Sequence, residues 1–209
     1  SPSERSRRPV SVVTVEGARA GVRGLVHGLL EVRQTVVSNG LIIIASFGSA
    51  VLAARLLGPE GRGTLAAAVV YVALASALAD GGLNQAVPYF AARHQGQAAS
   101  VLGTTVVLAT GFGSASALVA YGALSLGATA DKAVYYLPAT PFVLLATHLA
   151  GFLYGRGEMT AFNIIRILQA SVLLLALVAS VIFGRTEAPS VLAWAVGVNV
   201  TLALAAAAV

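Results

Sequence analysis

Asn163, Arg166 and Gln169 recur every three residues through the segment AFNIIRILQA, which is otherwise apolar. On a helix they form one polar stripe. The guanidinium at its centre is permanently charged and carries a planar fork of donors suited to an anionic group. In so apolar a setting Arg166 either lines a hydrated cavity or snorkels to the headgroups. Arg55, at the far end of the first long apolar run, poses the same choice. Asp80, at the end of the second, either pairs with Arg166 or Arg93 or caps a helix in wet surroundings.

The remaining reactive residue types do not converge. His27, His94 and His148 are widely separated, and His148 has no His or carboxylate three or four residues away, so the zinc-ligand spacing is missing. A lone helical His is read as a packing residue ahead of a proton relay. The two GRG triplets, Gly61–Gly63 and Gly155–Gly157, follow no strand and supply no Lys-Ser/Thr pair, so they are turns rather than phosphate loops. No serine has a plausible His and Asp partner, and the absence of Cys excludes disulfides and thiolate sites. No metal and no cofactor is expected. The chemistry to look for is transport rather than turnover.

The elements that must position the charged groups are apolar helices. With 57% hydrophobic and only 10% charged residues among 209, a water-soluble domain could not cover its surface. The run VVSNGLIIIASFGSAVLAA over 36–54 has no charge and is long enough to cross about 30 Å of hydrocarbon, where only a helix satisfies its backbone. The 22 Gly residues, with abundant Ala, suit close helix approach in lipid. The expected fold is all-α, a polytopic transmembrane bundle of six helices at 36–56, 64–83, 99–126, 134–154, 161–183 and 190–208.

Ahead of the 35–209 lobe, residues 1–13 read as a disordered basic tail. Residues 14–34, with Arg19, Arg23 and His27 at steps of four, are either an interfacial helix or a frayed basic leader. No signal peptide fits. An outer turn of Gly58, Pro59, Glu60, Arg62 and Gly63 separates the first two helices. Gly81, Gly82, Asn84 and Pro88 mark either an ordinary helix end or a helix broken beside a cavity. Pro138 and Pro141 are expected to bend or locally open the fourth helix.

The net charge of +5 suggests nucleic acid until its distribution is considered. Basic residues crowd the N-terminus and the ends of apolar runs, the arrangement that orients a membrane protein, so no nucleic acid is expected. The excess in the leader, with Arg93 and Arg156, places the N-terminus in the cytoplasm; Arg62, Lys132 and Arg185 lie opposite.

The segment RLLGPEGRGTLAAAVV, followed by ADGGLNQAVPYFAAR, resembles the start of the polysaccharide and oligosaccharide-lipid exporters. This O-antigen-flippase-like family belongs to the superfamily that also holds the multidrug extruders and the lipid II flippase. The likeness rests on Leu57-Gly58-Pro59-Glu60, Gly63, the small-residue start of the second helix and the Gly82-Leu83-Asn84 break. The family usually has an aromatic residue before Gly63, where this chain has Arg62. The resemblance implies one N-terminal lobe of a molecule with twelve to fourteen helices, partnered by a second six-helix lobe in the same or another chain. It further implies a bacterial cell membrane and a cargo of lipid-linked oligosaccharide or polysaccharide precursor, with coupling to an ion gradient or the membrane potential.

On that reading the phosphate-bearing head needs a cationic cavity. Arg166 is the leading candidate, with Arg55, Asn163, Gln169 and Asp80 as further cavity residues. Two other classes compete. Cation-coupled efflux of small molecules favours acidic groups deep in the helices, and a non-transporting partner of polysaccharide-synthesis enzymes needs no cavity at all. Cysteines placed at Ser6, Gln95 and Gly157 of this Cys-free chain are expected to be shielded from an impermeant thiol reagent in intact cells, whereas those at Gly61, Thr129 and Thr186 label. Labelling of the first set without lysis reverses the orientation.

Overall fold

The computed structural model describes the backbone at residues 15–125 and 136–207 and the side chains at 33–123, 125 and 136–201. The tail at 1–13, Asp131, Lys132 and the expected start of a helix at 134 lie outside the described residues. Within them the chain is all-α: α1 (Val15–Asp80), α2 (Leu83–Arg93), α3 (Ala98–Ser125), α4 (Thr140–Gly155), α5 (Met159–Ile182) and α6 (Ala188–Ala207). Short 3-10 turns at Gln95–Gln97 and Leu137–Ala139 precede α3 and α4.

Among the described residues four stretches are long and apolar enough to cross a membrane: Arg33–Asp80, Gln95–Ala123, Leu137–Gly155 and Met159–Ile182. Many of their outward side chains are large and apolar. Phe47 is 71% exposed, Leu118 72% and Leu78 81%, values that water would penalise and lipid does not. The architecture is that of a polytopic membrane helix bundle.

The first stretch contains two passes. Asn39 is level with Arg166 of α5, and Asp80 is level with His148 of α4. Gln169 of α5 is bonded to Thr147 of α4, so all four groups share one level of the bundle. On a straight helix residues 39 and 80 would lie about 60 Å apart. The chain therefore reverses between them, at Gly58, the non-helical residue within α1 (φ 63°, ψ −174°). A side chain is strained at that φ, and Gly supplies it freely.

The turn is shorter than the sequence suggests. Pro59 starts the second arm directly, its fixed φ and missing N–H being suited to the first helical position. Glu60, Arg62 and Gly63 are consequently helical, and the arm spans 59–80 rather than beginning at 64. The 14–34 segment also departs from expectation. It is not a separate interfacial helix, because the helix that begins at Val15 runs without interruption into the first pass; nothing in LLEVRQTVVS is a Pro or a Gly that would end it.

Pro138 and Pro141 do not bend the fourth helix. Pro138 lies in the preceding 3-10 turn and Pro141 in the first turn of α4, where the absent N–H would have had no helical partner. The following helix, α4, is the centre of the bundle and packs against α1, α2, α3, α5 and α6. Nine of its residues are buried, from Thr140 to Leu153.

Around α4 the neighbours approach through small residues. A Cβ on Gly113 of α3 would come within 2.5 Å of the Pro141 Cα, and one on Gly155 would run into the Pro88 carbonyl of α2. Gly155→Ala is expected to lower stability by about 1–3 kcal/mol through this overpacking. Gly103→Ala, where no atom lies within 4 Å of the added methyl, should be neutral or slightly stabilising. Thermal unfolding of the purified variants in detergent checks the contrast, and equal midpoints would contradict the packing.

Candidate functional site: a polar cavity beside a broken helix

The second pass does not end at Asp80. Gly81 (φ 50°) and Gly82 (φ 88°) both adopt left-handed backbone, and α2 resumes at once from Leu83. The new helix is anchored by Gly82, whose carbonyl accepts from the N–H groups of both Gln85 and Ala86 at 3.1 Å. Val87 and Ala91 then pack with Ala150, Phe152 and Leu153 of α4 and with Ile165 of α5. The break is inside the bundle. Its neighbour His148 lies seven residues before the end of α4, about 10 Å along the helix axis. Of the two alternatives the sequence leaves at Gly81–Pro88, the structure has the broken helix.

Between α2, α4 and α5 lies a cavity of about 390 Å³. Asn84, Gln85 and Pro88 line it from α2, Thr147, Ala150, Gly151 and Tyr154 from α4, and Phe162, Arg166 and Gln169 from α5. Pro88 has no N–H to give to the Asn84 carbonyl one turn back. Gln169 is fixed by donating from Nε2 to Thr147 Oγ1 at 3.2 Å. Arg166 donates from Nη2 to Asn39 Oδ1 at 3.3 Å, and its guanidinium carbon lies 5.3 Å from the Phe162 ring centroid. The amide and the ring both hold the fork in place. Phe162 is itself in contact with Tyr154, at 5.2 Å between centroids.

The polar stripe of α5 is divided. Arg166 and Gln169 line the cavity, while Asn163 is buried with neither side-chain polar atom hydrogen-bonded among the described residues. Successive steps of three turn a helix by about 60°, so the ends of the stripe are about 120° apart and one cavity does not reach both. Arg55 is exposed on α1, sixteen residues from Asn39, which places it about 24 Å along the helix from the Arg166 level. Asp80 takes neither of the partners expected for it. Arg166 is engaged with Asn39 and Arg93 with the Tyr89 hydroxyl at 3.2 Å, while Asp80 faces His148, Oδ1 to Nε2 being 3.6 Å.

No protein-family model matches the chain, and comparison with curated proteins and with solved structures also returned no match. Among the described residues no group of three His, Asp or Glu side chains is arranged to hold a metal ion. What the cavity offers is a cation, three side-chain amides, two hydroxyls and two aromatic rings, a set that binds by hydrogen bonding and charge.

Asn39, Thr147, Tyr154 and Phe162 are not singled out by the sequence. Asn39 had a signal: it is the one amide in the apolar run at 36–54. Thr147, Tyr154 and Phe162 had none, since each is an unremarkable residue type for a membrane helix.

Proposed function

We propose that this chain forms one wall of a transport path for a lipid-linked oligosaccharide or polysaccharide precursor across a bacterial cell membrane. The observation that carries the reading is the cavity itself, in which Arg166 is held beside a broken helix within a bundle of apolar helices. A charged side chain in a membrane helix is costly and is retained where a path or a ligand needs it. Arg166 would take the phosphate or pyrophosphate oxygens through its fork. Asn84, Gln85 and Gln169 would take sugar hydroxyls, which both donate and accept, as amides do. Tyr154 and Phe162 offer apolar ring faces for the flat faces of sugars, and the isoprenoid tail would stay in the bilayer, against the exposed apolar side chains. The partner in this reading is a second six-helix lobe closing the other wall. The resemblance of the Leu56–Arg93 region to oligosaccharide-lipid exporters adds support.

Cation-coupled efflux of small molecules is favoured by one observation, the carboxylate of Asp80 at the break, alongside the middle of α4. The two readings differ in what Arg166 does. A lost hydrogen bond to a charged group is worth about 1.5–3 kcal/mol, or about a ten- to hundredfold loss of recognition. Flipping of a lipid-linked oligosaccharide in proteoliposomes, normalised to inserted protein and measured with the partner lobe present, should fall by that order in Arg166→Gln and only modestly in Arg166→Lys. If Arg166 merely reaches the headgroups, Lys is neutral and Gln nearly so. Full activity of the Gln variant defeats the assignment.

A further inference from the structure

His148 is the feature the cavity does not use. Its imidazole is 1% exposed, and neither ring nitrogen has a hydrogen-bond partner among the described residues. The 3.6 Å from Nε2 to Asp80 Oδ1 is within ion-pair range but too long for a hydrogen bond. Asp80, with its side chain about a third exposed, is the last residue of α1, and no basic residue occupies that last turn. A helix C-terminus disfavours a carboxylate and favours a cation. Ser76, one turn back on the same face, also has an unpaired hydroxyl. His148 and Asp80 thus meet at the point where the helix breaks, and the charge that would balance the carboxylate there is a proton on His148.

We propose that His148 and Asp80 form a proton-binding pair which, when His148 is protonated, closes the Gly81–Gly82 break onto α4 and so resets the α2 wall of the Arg166 cavity. The proton comes from water reaching past Asp80. An N–H bond forms at one ring nitrogen while the other keeps its own proton, and the imidazolium is balanced by the Asp80 carboxylate. A charge-assisted contact of this kind closes to about 2.8 Å, a movement of about 0.8 Å from the separation in the structure. The movement falls on the hinge. Asn84 and Gln85 lie two and three residues beyond Gly82 and line the cavity, and the left-handed glycines are the residues that absorb the change in backbone angle.

The surroundings contain few competitors for the titration. Among the described residues α3 and α6 carry no charged side chain, and α5 carries Arg166, which is engaged with Asn39. From α2 comes Arg93, at the far end and bonded to Tyr89; Tyr154 is on α4 itself; and Tyr136 lies in the turn before α4, three turns from His148. From α1 it is Asp80 that reaches ion-pair range. The value of such a switch to transport rests on the function proposed above. The pair itself does not, so the test measures helix position rather than flux.

The chain contains no Cys and three His. With His27 and His94 replaced by Gln, a bimane attached at Gln85→Cys in nanodiscs reports the α2 wall. Its fluorescence should change reversibly on acidification, as His148 takes up its proton. His148→Gln should abolish the titration. Asp80→Asn, which keeps the side-chain volume, should remove more than half of its amplitude, and this second variant decides the matter should His148→Gln fail to insert. A flat signal in the parent, or a titration that survives both substitutions, overturns the proposal. An intact titration together with full flipping by Arg166→Gln would sink the cavity reading and leave the proton pair standing.

Discussion

A backbone N–H or C=O in hydrocarbon has no water to bond, so a membrane chain leaves the helix only where something else satisfies or shields the exposed groups. Two such departures organise this protein. At Gly58 the departure is a single left-handed residue followed by Pro59, and it reverses the chain, turning a 66-residue helix into two passes. At Gly81–Gly82 the chain does not reverse. It is offset and resumes as α2, whose Gln85 and Ala86 N–H groups turn back onto the Gly82 carbonyl and whose Pro88 withholds an N–H altogether. The second departure lies within the bundle, and the cavity and the His148–Asp80 contact are both at its edge.

The central helix links those two features. In α4, Thr147 and His148 are adjacent and therefore about 100° apart around the axis. One reaches Gln169 at the cavity wall, and the other faces Asp80 at the break. Enclosure of α4 by five neighbours depends on small residues. Gly113 admits the start of α4, and Gly151 and Gly155 admit Pro88 of α2. Van der Waals contact of this closeness is the main attraction between helices when the solvent is itself apolar. The polar groups of α4 are thereby held in position by packing, which gives a 0.8 Å displacement at the hinge, about that in magnitude, something firm to act against.

The helical, multi-pass character of the chain was legible in the sequence, and for a direct reason. Apolar length and charge spacing are local properties, and in a bilayer they leave the backbone little choice. The runs at 99–126, 161–183 and 190–208 correspond to α3, α5 and α6 to within two residues. Arg166 and Gln169 were also visible, because a charge and an amide inside an apolar run stand out without knowledge of their neighbours.

What the tertiary structure alone decided was which polar groups meet. Asn39 reaches Arg166 across more than a hundred residues of sequence, and Asp80 reaches His148 across nearly seventy. Neither pairing follows from helical spacing, which relates residues three or four apart. Local preference also left Gly81–Pro88 open between an ended and a broken helix, since glycines permit both and the choice lay with the α4 and α5 surface waiting for Val87 and Ala91. Conversely, Pro138 and Pro141 lost the bend that their type suggests, because the chain entered α4 just where a missing N–H has no consequence. Sequence determines which segments must be helices in lipid; the packing of one helix on another determines which of their few polar atoms become a site.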